Sequence, residues 1–237
     1  MNSTLHAQIV SAKGIVFDLF HTLTARESEW SEGLRTHQVL GLSREAWENQ
    51  LFESSRFRLA GLERDHKAVI SRMARAIDPS ISDEVIDRAV SNRSNRFSRA
   101  LTKIPPENIL LLQSLRQHSI KLGLVSNADC GEIASWDSSP LAPFFDSTVF
   151  SCYVGYVKPE PEIFLRSLLE LALRPQDCLF VGDGGSQELV AARSLGFTTV
   201  MVTGIMRELW PDKIESRGND ADFVVEFPID LLPQGWK

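Results

Sequence analysis

Asp18 closes the apolar run Gly14-Ile15-Val16-Phe17, and Thr22 follows four residues later. An acid at the carboxyl end of a buried strand sits at the edge where open α/β sheets bind ligands. A carboxylate placed there can act as a nucleophile and carry a covalent intermediate. Other strand ends and helix entries bring further polar residues in order: Ser126-Asn127 after Leu124-Val125, Lys158 in Val157-Lys158-Pro159, and Asp183 in Gly182-Asp183-Gly184-Gly185. The set suits phosphoryl transfer. A carboxylate attacking a phosphate dianion meets charge repulsion, so positive charge and donors are needed around the equatorial oxygens. Lys158 can supply the charge, Ser126 and Thr22 hydroxyls, and backbone N–H groups at the turns more donors. Asp183 adds a second carboxylate for a hard divalent cation, Mg2+, with the Phe20 carbonyl and waters completing its shell.

The elements that must hold these residues are legible as an alternation. Short apolar runs at 14–19, 120–125, 148–150, 178–181, 199–202 and 223–225 read as strands. Helical patterns at 161–173 and 188–195 lie between them, the second stopped by Gly196. Such repetition predicts a parallel sheet covered on both faces. Residues 25–103 differ: they show no strand, and several helical stretches are punctuated by Gly41, Gly61 and Asp78-Pro79. The expected organisation is a catalytic core of residues 1–24 and 104–237 with an all-helical insert at 25–103 above the sheet's active edge, Pro105-Pro106 marking the return.

The formal net charge of −6 and pI near 5.4 argue against a nucleic-acid binder, leaving a small anionic molecule as the expected partner. No apolar run is long enough to span a bilayer, and residues 1–13 lack a signal-like apolar core, so no membrane association and a cytoplasmic location are expected. The three cysteines, Cys130, Cys152 and Cys178, show no zinc spacing and read as free thiols in unrelated contexts. The chain is expected to be a monomer or homodimer.

Asp18-Leu19-Phe20-His21-Thr22-Leu23, Val125-Ser126-Asn127, Lys158-Pro159 and 181–189 resemble the four motifs of the haloacid dehalogenase-like hydrolases. The resemblance runs from about residue 13 to residue 232 and includes a helical cap after the first motif. It implies a Rossmann-like, doubly wound core and an aspartate nucleophile. Position by position, it makes Asp18 the nucleophile, has Thr22 and Ser126 bind the transferred group, and has Lys158 steady charge. Asp18, Phe20 through its carbonyl, and Asp183 would hold Mg2+, with Glu188 near the cation directly or through water. Asn127, and Arg56 and Arg58 in the cap, are the expected substrate contacts.

One departure bears on activity. Phe20 stands where the family's phosphomonoesterases carry an acid/base aspartate, and a positioned general acid is commonly worth ~10²–10⁴ in rate. Neighbouring residues of a strand point to opposite sides, so His21 is expected to serve the turn instead. A Mg2+-dependent phosphohydrolase acting on a small phosphorylated metabolite is the leading expectation. A metal-independent 2-haloacid dehalogenase, which also has an aromatic at that position, is the alternative, followed by a non-catalytic regulator that binds Mg2+ and phosphate. Three smaller expectations concern structure. Asp129 with Glu132 has the spacing of a helix cap, Arg93, Arg96 and Arg99 read as a solvated basic stripe, and Trp30 and Trp47 read as packing residues.

Overall fold

The computed structural model describes residues 2–236. Within them, all six strands enter one parallel sheet: β1 (Gly14–Phe17), β2 (Lys121–Ser126), β3 (Ser147–Phe150), β4 (Cys178–Gly182), β5 (Thr198–Val202) and β6 (Phe223–Val225). Their order is β3-β2-β1-β4-β5-β6. The chain works outward from β1 through β2 to β3, then crosses back to β4 on the other side. Loops leaving β1 and β4 therefore part from each other and open a crevice at their carboxyl ends. Phe17 pairs in register with Val181, so Asp18 emerges close to where β4 ends. The Asp18 N–H donates to the Val181 carbonyl at 2.8 Å and continues that register for one more residue.

Alternation along the strands builds a core on each face. Ile15 and Phe17 join Leu122, Leu124 and Val181 on one side, where α1 (Asn2–Ser11) contributes Leu5 and Ile9 and α8 (Pro106–Gln117) contributes Leu111 and Leu115. Val16, Val125 and Phe180 face the other side, under Phe164 and Leu168 of α10 (Pro161–Leu171) and Leu189 of α11 (Glu188–Leu195). The amino-terminal stretch, which lacks a signal-like apolar core, is thus a helix over Asn2–Ser11 that seals one face with Leu5 and Ile9, four residues apart.

Between β1 and α8 lie α2 (Glu27–Trp30), α3 (Thr36–Leu40), α4 (Arg44–Glu53), α5 (Ser55–Leu59), α6 (His66–Ile77) and α7 (Asp83–Thr102), with no strand among the described residues. This cap has its own core, including Leu40, Trp47, Ile70, Met73 and Ile86. Side-chain oxygens of Ser43, Asp65 and Ser82 cap α4, α6 and α7, satisfying backbone donors at the helix starts. Trp30 packs with Ala25 and Ala100 against Phe20, tying cap to core beside the crevice. Short helices α9 (Ser151–Val154), α12 (Met206–Leu209) and α13 (Ile214–Gly218) complete the layers. No described helix is long and apolar enough to cross a membrane.

Candidate active site

The crevice gathers four side chains that the sequence scatters over 170 residues from Asp18 to Glu188. Lys158 Nζ lies 2.5 Å from Asp18 Oδ1 and 2.5 Å from Glu188 Oε2. One oxygen each from Asp18, Asp183 and Glu188 can be chosen so that all three lie within 4.8 Å of one another, and all three residues are buried. Gly182 permits this crowding: a Cβ there would sit 2.2 Å from Glu188 Oε1, so a side chain would push that carboxylate off the strand end. The Gly184 N–H, at a left-handed φ of 80°, donates to the same oxygen at 3.0 Å.

Burial sharpens the electrostatics. It pushes the Glu188 carboxyl up to about 8, aided by the charges of Asp18 and Asp183 and opposed by Lys158. Burial also works against the Lys158 ammonium, but Asp18 and Glu188 overcome it and hold its pKa above the ordinary lysine value. Three converging carboxylates with no sulfur or imidazole among them form a donor set suited to a hard divalent cation, which would relieve their mutual repulsion. Ser126 Oγ is buried, lines the same cavity and has no hydrogen-bond partner, leaving it free for a bound oxyanion.

The cavity over these groups has a volume of about 380 Å³ and is lined on its cap side by Arg58, Leu59 and Phe97. Asn127 lines it too. Its amide clasps the backbone of Lys158, accepting from the Lys158 N–H at 2.7 Å and donating to its carbonyl at 3.0 Å. Phe20 faces the cavity with its ring edge-on to Phe97 at 5.5 Å between centroids.

Several expectations are corrected. Thr22 does not line this cavity; its hydroxyl donates to Asp18 Oδ2 at 3.0 Å, which makes it a support for the carboxylate. Arg56 does not reach the site and instead pairs with Glu160 on the surface, whereas Arg58 does reach it. Two residues apart on α5, their side chains lie nearly opposite each other around the helix axis. His21 faces the cavity beside Phe20, because the chain has left the strand and its backbone is left-handed (φ 63°), so strand alternation no longer applies. The His21 ring lies 5.0 Å from that of Trp210, and His21 Nε2 is 3.9 Å from the Glu27 carboxylate. The adjacent His21 ring and the charge of Arg35 hold the Glu27 carboxyl down at about 2 against the effect of its burial.

Arg93 and Arg96 are buried, at 5% and 7% exposure, and are not a solvated stripe. Ile86, Ala89, Arg93, Arg96 and Ala100 recur at three- and four-residue steps and form one inward face of α7. Asp129 and Glu132 do exchange reciprocal backbone bonds, at 3.0 and 2.9 Å, but within a turn that starts no helix, a 3-10 turn beginning only at Trp136. Their carboxylates instead receive Arg58 and Arg93 from the cap. Cys130 and Cys152 are not in unrelated contexts: burial and the neighbouring Cys130 thiol push the Cys152 thiol up. Trp30 and Trp47 are buried as expected. Sequence reasoning missed Arg217, whose guanidinium donates to Asp183 Oδ2 at 3.0 Å and to the Asp183 carbonyl at 3.1 Å.

Comparison with known proteins agrees with this architecture. The family model for haloacid dehalogenase-like hydrolases matches residues 12–196, and the chain belongs to that family of hydrolases. A glyceraldehyde 3-phosphate phosphatase of Methanopyrus kandleri is 26% identical over 231 residues, covering 93% of this chain and 95% of that protein. A solved phosphatase of the family from Thermococcus onnurineus superposes with a TM-score of 0.58 at 22% identity, covering 92% of this chain and 95% of its own. The L-2-haloacid dehalogenase of Xanthobacter autotrophicus, solved with chloropropionic acid covalently bound, gives a TM-score of 0.60 at 20% identity over 93% of this chain and 96% of its own.

Proposed function

We propose that the chain is a Mg2+-dependent, cytoplasmic phosphohydrolase that acts on a small phosphorylated metabolite through an aspartyl-phosphate on Asp18. The observation that carries this reading is the buried trio Asp18, Asp183 and Glu188 around Lys158. The phosphatase relative of M. kandleri, similar along nearly its whole length, supports phosphoryl transfer over other hydrolyses.

In this reading Asp18, its carboxylate oriented by the Thr22 hydroxyl, attacks phosphorus in line with the leaving oxygen. Lys158 neutralises charge on Asp18 and on the transferred group, and Asn127 fixes the lysine by its backbone. The free Ser126 hydroxyl donates to an equatorial phosphoryl oxygen. Mg2+, held by Asp18, Asp183, Glu188 and the Phe20 carbonyl, would supply charge neutralisation between nucleophile and phosphate. Phe20 has no proton to give, so the reading favours leaving groups that depart as stable anions, as from acyl and aryl phosphates. Cap closure over the cavity excludes water during the first step.

The test is turnover of acetyl phosphate and 4-nitrophenyl phosphate with Mg2+ and with EDTA. Hydrolysis that requires the metal and is lost in Asp18→Asn is expected; equal rates in chelator would contradict the reading. The facing Phe20 ring favours one second reading, metal-independent 2-haloacid dehalogenation, which would release halide from 2-chloropropionate in EDTA.

A further inference from the structure

A second cavity, about 510 Å³, lies on the cap side of the crevice, lined by cap residues together with Glu132, Leu209 and Trp210 of the core, and adjoins the one over Asp18. The two share a wall made by Glu27, Arg58, Phe97, Glu132 and Trp210. Five arginines line the cap cavity: Arg35, Arg44, Arg58, Arg93 and Arg96. Four of them are answered by carboxylates. Arg35 bonds Glu27 at 2.9 Å, Arg44 bonds Glu48 at 2.6 Å, and Arg58 with Arg93 share Asp129 and Glu132.

Arg96 is left over. It is 93% buried, with 7% of its surface exposed, and among the described residues no carboxylate oxygen lies within 4.0 Å of its guanidinium. Its partners are neutral: Ser31 Oγ at 2.9 Å, Thr36 Oγ1 at 3.4 Å and the face of Trp30 at 5.9 Å. Burial, with the like charges of Arg35 and Arg93, lowers its pKa to about 10, and the charge of Glu27, itself bonded to Arg35, offsets this only in part. Beside it, the Nε donors of Arg58 and Arg93 are buried and unpartnered. Buried cations are ordinarily paired, because removing a charge from water is costly without a counter-charge. If Arg96 only tied α7 to α2 and α3, a neutral donor would serve as well. An unbalanced guanidinium at a cavity wall, with two orphan donors alongside, is a receptor for an anion.

We propose that this cap cavity is an anion subsite that receives a second negatively charged group of the substrate, a carboxylate or phosphate, with Arg96 as its anchor while the phosphoryl group lies over Asp18. The proposal rests on the phosphohydrolase reading and deepens it: the substrate class becomes small molecules with a phosphoryl group at one end and an anion at the other.

Non-hydrolysable ligands separate the subsite from the chemistry. Calorimetry of the full chain with Mg2+ would compare ω-carboxyalkylphosphonates of one to four methylenes with alkylphosphonates of matched length. At one favoured spacing the carboxylate should tighten binding by about tenfold or more. Arg96→Gln should bring the ratio of affinities close to one, and Arg96→Lys should retain part of it. Equal affinities at every spacing, or a ratio that persists in Arg96→Gln, would overturn the proposal. So would malonate that binds alongside a bound alkylphosphonate with no preferred spacing, since the anion would then be a separate ligand. If Arg96→Gln does not fold, the spacing dependence of the unmutated chain decides by itself. An Arg96-dependent ratio without Asp18-dependent turnover of any phosphate would leave the subsite standing and remove the phosphohydrolase reading. Turnover without the ratio would do the reverse.

Discussion

Replacing Phe20 by aspartate asks whether the absent acid limits the reaction. The ring is half-buried and edge-on to Phe97 at 5.5 Å, with Trp30 and Ala100 beside it. Full burial of a phenylalanine is worth ~1.5–3 kcal/mol, so the half-buried ring accounts for about 1 kcal/mol. The aromatic pair adds ~0.5–1.5 kcal/mol. Phe20→Asp should therefore cost roughly 2 kcal/mol of stability and loosen the cap over the crevice, an effect felt by every substrate alike. A positioned acid acts otherwise. Its ~10²–10⁴ in rate, about 2.7–5.4 kcal/mol of barrier, is available only where the leaving oxygen needs a proton. The decisive quantity is the ratio of kcat/KM for glycerol 3-phosphate to that for 4-nitrophenyl phosphate, in which loosening cancels. The ratio should rise by at least about a hundredfold in Phe20→Asp and stay flat in Phe20→Asn. A ratio unchanged within about threefold in a folded Phe20→Asp protein would refute the reasoning.

Arg217→Gln removes a guanidinium from Asp183, and a charged hydrogen bond contributes ~1.5–3 kcal/mol, less where water screens it. Mg2+ should bind this variant about tenfold tighter by calorimetry without substrate; unchanged or weaker binding would show that Arg217 does not compete with the cation. Arg93→Met strips a buried cation from Asp129 and Glu132, and breaking a buried pair costs ~3–5 kcal/mol. A loss below about 1 kcal/mol in urea unfolding would contradict that role. Burial, with the charge of Arg93, depresses the His66 pKa below its ordinary 6.5. The unfolded chain then binds the proton more readily, so the contribution of His66 is intact above about pH 6.5 and is lost as pH falls toward the folded value. His66→Gln should flatten the fall in Tm between pH 7 and 5, and an identical slope in the variant would refute it.

The strands were legible because burial on both sheet faces leaves near-continuous apolar runs, and the reactive residues because each stands where such a run ends. Asp18, Ser126 and Asp183 needed only that rule, and Lys158 and Glu188 the helix entries beside it. What failed was side-chain direction. Arg56 and Arg58 look equivalent in a list of residues but lie on opposite sides of a short helix. Arg93 and Arg96 sit in phase with Ile86, Ala89 and Ala100, a signal the sequence carried, and their charge obscured it. His21 was misplaced because a left-handed residue breaks strand alternation. Arg217 gave no local signal, since its partner lies 34 residues away and meets it only when the β4 and β5 crossovers fold onto the same edge.

The most direct test of the central claim is to identify the covalent intermediate. Acetyl phosphate labelled on phosphorus would be mixed with excess enzyme and Mg2+, quenched in acid, and the protein digested for mass spectrometry. Phosphate on Asp18, formed within the first turnover and lacking in Asp18→Asn, is the expected result. Phosphate released as fast in Asp18→Asn as in the unmutated chain, or a label carried by any other residue, would contradict the account.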